Sequence, residues 1–255
     1  MTLVPRPTGP GVRVHTARRR VRLGDSRPSG RLRLDAIARY LQDIAADDVT
    51  ESGLEHESRW VVRATRLEVD AWPAYGEDVE LATWCAGTGA AWAERRTSIL
   101  VAGAPVIEAA TVWVRLDPAT MRPGPLTEEF LAIYGPSTGG RKVRSRLTHP
   151  APTPDADRRR WPLRAADFDV LGHVNNAVAW VALEDELARL GLGRVVVADA
   201  EYASPISAAE ISCDGAAGAV DLAVAVEGDG ALVRVWLIAA DGQPAVSVAA
   251  SPGPT

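Results

Sequence analysis

The same order of elements runs through this chain twice, and that order narrows the possible folds more than any other feature. In the first half, "RLGDSRPSGRLRLDAIARYLQDIAADDV" sets a Gly-containing loop before a helical pattern. Ile37, Tyr40, Leu41 and Ile44 fall at i, i+3, i+4 and i+7, one face of a helix. Short β-rich runs follow: "WVVRATRLEVDAWP", "GEDVELATWCAG", "AWAERRTSILVAG" and "PVIEAATVWVRLD", separated by Gly and Pro. In the second half, "RAADFDVLGHVNNAVAWVALEDELARLGLG" repeats the loop and helix. Trp180, Leu183, Leu187 and Leu190 mark the helical face, and Gly191 and Gly193 mark its end. The runs "RVVVADAEYASPIS", "AEISCDG", "AVDLAVAVEGDG", "ALVRVWLIAADG" and "PAVSVAAS" come next, with hairpin chemistry at the tips "EGDG" and "AADG". Gly30 registers with Gly172, and Pro73 with Pro205. The pattern predicts an α+β chain of two tandem domains, each a long helix wrapped by a curved antiparallel sheet.

Between the halves lies "YGPSTGGRKVRSRLTHPAPTPDADRRRWP", residues 134–162, rich in Gly, Pro, Ser, Thr and Arg and without an apolar period. The expected division is a flexible tail at 1–12, an N-terminal domain at 13–138, a basic linker at 139–160 and a C-terminal domain at 161–251. With 255 residues, 47% of them hydrophobic, each half can bury its own core. A net charge of −5 gives no whole-protein affinity for nucleic acid. No run reaches the roughly 18 apolar residues of a membrane span, and the N-terminus lacks the apolar core of a signal peptide. A soluble, cytoplasmic protein is expected. Cys85 and Cys213 read as reduced, buried or half-buried thiols. His15, His56, His149 and His173 are well separated and give no metal spacing. Neither a metal nor a cofactor is expected.

The densest polar cluster is "DFDVLGHVNNAVAW", residues 167–180. Asn175 or Asn176 suits the N-cap of the helix that follows, because its side chain accepts from free first-turn amides. Asp167 and Asp169 suit turns, and His173 suits a packed loop. Taken together, these residues put a carboxylate, an imidazole and a helix N-terminus at one spot. Such an end offers oriented N–H donors to a developing oxyanion, and a carboxylate can activate water or attack a carbonyl. The arrangement suits hydrolysis of an activated acyl group. No Gly-x-Ser-x-Gly elbow is present to suggest a serine hydrolase. Glu184 lies about 40° from Trp180 and about 60° from Leu187 on a helical wheel, inside the apolar stripe. It is read either as a functional carboxylate or as the wet edge of the stripe, with Asp185 and Glu186 pointing away.

The stretch "DFDVLGHVNNAVAW" resembles the Asp-x-x-Gly-His-Val-Asn-Asn signature of hotdog-fold thioesterases. The wider chain resembles the acyl-ACP thioesterases, double-hotdog enzymes that end fatty acid synthesis. The supporting stretches are "GDSRPSGRLRLDAIARYLQDIAADD", "WVVRATRLEVDAWPAYGEDVELATWCAG", "AATVWVRLDPATMRPGPLTEEF", "WPLRAADFDVLGHVNNAVAWVALE" and "AEYASPI", within residues 15–215, and the Arg-Leu-Glu-Val, Thr-Trp and Thr-Val-Trp-Val-Arg blocks among them narrow the resemblance to acyl-ACP thioesterases. It implies two tandem hotdog domains with Asp169 as catalytic carboxylate and His173 as its partner. Asn175, Asn176 and Glu184 complete the expected site. Two positions depart from the plant-type pattern. Leu171 stands where that family often has a catalytic Asn, and Pro205 and Ile206 stand where it often has a Glu-Cys pair. Arg27 and Arg31 occupy the places of Asp169 and His173 in the first half, so one active site is expected per chain. Residues such as Ile37, Leu41, Trp60 and Trp92 are expected to set the depth of an acyl pocket.

The function implied is hydrolysis of fatty acyl-ACP to a free fatty acid and ACP. The alternatives are a thioesterase for acyl-CoA or a polyketide intermediate, and a non-catalytic acyl-binding hotdog protein. An acidic acyl carrier protein calls for a basic surface. Arg141, Lys142, Arg144, Arg146, Arg158, Arg159, Arg160 and Arg164 supply candidates for it. Two hotdogs in one chain are compatible with a monomer or a homodimer.

Overall fold

The computed structural model describes residues 4–55, 59–208 and 218–253. The chain divides into two compact units, Met1–Arg146 and Leu147–Thr255.

In the N-terminal unit, β1 (His15–Arg20) precedes the long helix α1 (Leu34–Glu51), and β2 (Arg59–Val69), β3 (Asp78–Thr88), β4 (Trp92–Val101) and β5 (Ala104–Leu116) follow. A short helix, α2 (Glu128–Tyr134), closes the unit. The strands lie in the order β1-β3-β4-β5-β2, every pair antiparallel. Ile37, Tyr40, Leu41 and Ile44 are all buried, as their spacing predicts. The first turn of α1 is anchored by Asp35, which Arg33 and Arg39 both engage; a carboxylate there also suits the helix dipole. Past Glu51 the chain turns out of the helix at Gly53, whose φ of +77° favours glycine.

The C-terminal unit repeats the plan with β6 (Asp157–Pro162), α3 (Val178–Arg189), β7 (Val195–Tyr202), β8 (Ala219–Glu227), β9 (Leu232–Ile238) and β10 (Pro244–Pro252). Its order is β7-β10-β9-β8-β6, again all antiparallel. This is the strand order of the first unit, element for element. Trp180, Leu183 and Leu187 are buried as expected. Both hairpin tips form, with Gly228, Asp229, Gly230 and Gly242 at positive φ. The run "AEISCDG" and Cys213 lie outside the described residues.

Several expectations need correction. β1 and β6 are strands that the alternation of apolar residues does not announce. "HTARRR" and "DRRRWP" are edge strands, where arginine blunts further pairing and hides the period. The last four residues of the expected linker, 157–160, therefore belong to β6. The two ends of the connecting segment are fastened, each to its own unit. Trp92 donates its indole N–H to Val143 O (2.9 Å), and Arg141 pairs with Glu94 (2.7 Å). Trp236 donates to Pro150 O (2.9 Å), and Glu201 accepts from the Thr148 and His149 amides. The end of the block "PLTEEF" starts helix α2, capped by Thr127 Oγ1 accepting from Phe130 N. Glu186 does not point into solvent. It is buried and paired with Arg159 and Arg189.

Candidate active site

The approach to α3 is built by backbone bonding. After β6, a 3-10 turn at Ala165–Asp167 buries the Asp167 carboxylate, which accepts from Arg164 N (2.7 Å) and pairs with its guanidinium (2.8 Å). The chain then makes a tight loop. Asp169 N donates to His173 O (2.8 Å), and Gly172 N donates to Asp169 O (3.0 Å). Gly172 sits at φ +73°, a conformation that favours glycine. Asp169 Oδ1 stiffens the loop by accepting from the amides of Leu171 (2.8 Å) and His173 (3.2 Å). Val170 and Leu171 stand exposed at its tip. On the return, Val174 N donates to Ile206 O and Ala208 N to Gly172 O, tying the loop to the segment after β7.

Asn175 takes the capping role at the helix entry, though two residues early. Its Oδ1 accepts from Ala177 N (2.9 Å), while the residue at the N-cap itself, Ala177, has no side-chain cap. The backbone of Asn176 is held from below by a relay that the sequence did not disclose. Trp180 Nε1 donates to Tyr202 Oη (3.0 Å), and Tyr202 Oη donates to Asn176 O (3.1 Å). Burial pushes the Tyr202 phenol well above its ordinary range, so it stays a donor. A cleft of about 20 Å³ opens here, lined by Asn175, Asn176, Ala179, Tyr202 and Ile206 among others. That is room for about one water molecule.

The structure thus brings Asp169, His173, Asn175 and Asn176 into one loop. Glu184 stands apart, two turns into α3, about 12 Å of helix rise beyond Asn176. It is buried, which rules out the wet-edge reading. Most of the backbone donors expected for a carbonyl oxygen are already committed. The amides of Gly172, His173, Val174 and Asn175 donate to Asp169 O, Asp169 Oδ1, Ile206 O and Asp167 O. Among the described residues, the Asn176 amide is the one in this run that has no acceptor.

The N-terminal unit carries the same loop with different side chains. Arg27 N donates to Arg31 O, Gly30 N to Arg27 O, Leu32 N to Pro73 O, Arg33 N to Asp25 O and Tyr75 N to Gly30 O. Gly30 repeats the positive φ, at +79°. Arg27 and Arg31 therefore do occupy the places of Asp169 and His173. The bonding also moves one equivalence: Pro73 corresponds to Ile206, not to Pro205.

The N-terminal unit has a different asset, a cavity of about 230 Å³ between α1 and its sheet. Ala45, Val49, Trp60, Ala93 and Phe130 give it an apolar wall, and Gln42, Cys85, Glu94, Arg95 and Trp113 interrupt that wall. Trp60 is the only expected depth-setting residue on the lining. Ile37 and Leu41 are core residues, and Trp92 spends its indole on Val143. Rings stack at one end, Trp60 on Phe130 (5.1 Å) and Phe130 on Tyr134 (4.8 Å). Arg95 is held by Asp48 (2.5 Å), which Arg13 also engages (2.6 Å). Burial pushes the Cys85 thiol up to about 11. The cavity residues of β3 to β5 escaped sequence reading because they become neighbours only through cross-strand register.

Among the described residues, no group of three or more His, Cys, Asp or Glu side chains could hold a metal ion, and no helix is long and apolar enough to cross a membrane.

Comparison with known proteins bears on the family and the fold. Residues 13–134 match the acyl-ACP thioesterase N-terminal domain family. The uncharacterized protein Rv2001 of Mycobacterium tuberculosis is 29% identical over 212 residues, covering 82% of this chain and 84% of that protein. The chloroplastic acyl-[acyl-carrier-protein] hydrolase FATB2 of Cuphea viscosissima is 24% identical over 179 residues, 58% of this chain and 41% of that protein. The 12:0-ACP thioesterase of Umbellularia californica superposes with a TM-score of 0.76 at 18% identity, covering 95% of this chain and 98% of its own. That last likeness concerns the fold.

Proposed function

The chain belongs to the double-hotdog family of acyl-ACP and acyl-CoA thioesterases, and from that premise we propose that it hydrolyses fatty acyl-ACP to a free fatty acid and ACP. The observation that carries this reading is the contrast between two loops of one backbone design. Only the C-terminal loop holds a carboxylate and an imidazole. Asp169 is the catalytic carboxylate. It takes a proton from water as that water adds to the thioester carbonyl, or it adds itself and leaves an anhydride for water to open. The Asn176 amide, at the positive end of α3, donates to the carbonyl oxygen as charge develops there. Collapse breaks the C–S bond, and the departing thiolate takes a proton, which His173 supplies or steers in this reading. Asn175 holds the turn that aims the Asn176 amide. Glu184 acts on the helix as a positioning residue. The cavity of the N-terminal unit is the chamber for the alkyl chain.

ACP as carrier is supported by the plant relatives, which are named for acyl-ACP, and by a charge pattern. Arg141, Arg159, Arg160 and Arg164 are engaged by carboxylates of this chain, so they drop out of the expected basic surface. Arg158 remains exposed on β6, and Lys142, Arg144 and Arg146 remain exposed at alternate positions of an extended segment. That spacing sets successive cations about 7 Å apart on one side. A row of this kind suits an acidic carrier protein.

The test is thiol release from acyl-ACP and acyl-CoA panels of varied chain length, with Asp169→Ala alongside. The expected result is preference for ACP that weakens with salt, and loss of turnover in the variant. Equal, salt-insensitive use of acyl-CoA would assign CoA as the carrier. Acyl binding without turnover of any thioester would assign a binding protein.

A further inference from the structure

The cavity beside α1 holds a charge that a chamber for a plain alkyl chain does not need. Arg95 lies mid-strand on β4, the central strand of the five in its unit, with its side chain turned toward α1. Its Nη1 donates to Asp48 Oδ2 on α1 (2.5 Å) and to Thr83 Oγ1 (3.4 Å). The Tyr134 ring lies 5.5 Å from its guanidinium carbon. Its Nε and Nη2 have no partner among the described residues, and neither is sealed from water as Nη1 and Nη2 of Arg96 are. The Arg95 side chain is 10% open. In the middle of a sheet covered by a helix, that open surface faces the cavity that Arg95 lines.

Nε and Nη2 are the side of a guanidinium that offers two parallel N–H donors, a match for a planar carboxylate. This chain uses that side twice elsewhere. Arg20 grips Asp78 with Nε and Nη2 at 2.9 and 3.1 Å, and Arg33 grips Asp35 at 2.8 and 3.1 Å. Charge around Arg95 is also incompletely matched. Asp48 is shared with Arg13 (2.6 Å), and Glu51 reaches Arg13 and His15 instead. Glu94, the other acid on the lining, is engaged by Arg96 and Arg141. A buried cation that shares its counter-ion is stabilised by a second anion.

The rest of the wall, with Ala45, Val49, Trp60 and Phe130, suits hydrocarbon. We propose that the cavity binds a carboxylate carried on an alkyl chain, with the carboxylate on Nε and Nη2 of Arg95 and the chain along the apolar wall. Two sources present this chemistry: a free fatty acid, and an acyl chain with a second carboxyl group at its far end. Their link to catalysis rests on the reading of the cavity as the alkyl chamber.

The experiment titrates the full chain with octanoate and with octanol by calorimetry at neutral pH. Octanoate should bind about tenfold more tightly than octanol. Arg95→Gln should erase that difference and leave octanol binding unchanged. Asp48→Asn removes the competing charge, so it should tighten octanoate severalfold with octanol unchanged, and it serves if Arg95→Gln does not fold. Equal binding of the two probes overturns the proposal. So does an octanoate preference that survives in Arg95→Gln, or one that Asp48→Asn fails to raise. Thiol release then separates the sources. A far-end carboxyl predicts a lower KM for 7-carboxyheptanoyl-ACP than for octanoyl-ACP, reversed in Arg95→Gln. A free fatty acid predicts that octanoate competes with octanoyl-ACP, and that Arg95→Gln relieves the inhibition. Hydrolysis that shows neither effect overturns the inference and leaves the thioesterase intact. An Arg95-dependent preference for octanoate, with no hydrolysis of any thioester, sustains the inference and sinks the catalytic reading.

Discussion

Asp169 and His173 are joined through the backbone: Asp169 Oδ1 accepts from the His173 amide at 3.2 Å while it also accepts from Leu171 N at 2.8 Å. The carboxylate thus shapes the loop as well as carrying the proposed chemistry, and the two roles can be separated. Asp169→Asn keeps an acceptor oxygen for both amides and removes the base. It should melt within about 0.5 kcal/mol of the parent while turnover falls by roughly 10²–10⁴. Asp169→Ala should lose turnover to the same degree and also about 1 kcal/mol of stability. Thiol-release kinetics beside urea titrations read both quantities. An Asn variant with full turnover would reduce Asp169 to a turn residue.

The two glycines at matching loop positions make a second comparison. Gly30 and Gly172 have φ of +79° and +73°, and an added Cβ would meet nothing within 4 Å at either. Alanine therefore costs only backbone strain, about 1–2 kcal/mol, and it costs the same in both units. Gly172→Ala should lower kcat by moving Asp169 and His173 against the Asn176 amide. Gly30→Ala should lose similar stability with kcat unchanged, since Arg27 and Arg31 flank that turn. Equal kinetic effects at both glycines would contradict the assignment of the chemistry to the C-terminal loop.

The repeated loop-helix-strand order was legible because helical and strand periods differ, and because Gly and Pro punctuate both halves alike. The loop residues 169–176 were legible because their contacts are local in sequence. Three kinds of feature were not. Arginine-rich edge strands β1 and β6 lack an apolar face to betray them. The relay from Trp180 through Tyr202 to Asn176 spans residues far apart in sequence and depends on how β7 packs against α3. The cavity wall depends on register between β3, β4 and β5, which a single sequence does not fix. Glu186 illustrates the limit in the other direction. A wheel puts it outside the apolar stripe, yet Arg159 from β6 covers it, and a carboxylate so paired can be buried.

Cys85 should be inert in the folded protein. Burial raises its thiol from the ordinary 9.0 to about 11, so at pH 8 little thiolate forms. In a Cys213→Ser background, a disulfide reagent should react with Cys85 only after denaturant is added. The same shift ties stability to pH. The folded state holds the proton more tightly than the unfolded chain does. Its contribution is therefore complete below pH 9 and is lost as pH rises toward 11, on the order of 2 kcal/mol in all. Cys85→Ala should flatten that alkaline decline. Rapid labelling of Cys85 at pH 8 without denaturant would show the cavity wall to be open.

The C-terminal unit should lose stability on the acid side, through His149. Its Nδ1 lies 2.9 Å from Ser247 Oγ, while its own amide and that of Thr148 both donate to Glu201. Burial lowers the imidazole pKa below the ordinary 6.5, and Arg234 adds to that, although Glu201 and Asp199 pull the other way. A histidine whose folded pKa is depressed stabilises the fold above the unfolded value and loses that contribution as pH falls below it. Stability should therefore decline as pH drops below about 6.5. His149→Gln, which keeps a hydrogen bond to Ser247 without a titrating ring, should remove much of that slope. Glu201→Ala should instead cost about 3 kcal/mol at neutral pH, because the Thr148 and His149 amides lose a charged acceptor. Urea titrations at pH 7.5 and 5.0 distinguish the two effects. A slope unchanged in His149→Gln would assign the acid sensitivity to carboxylates such as Glu201, whose protonation loosens the same strap.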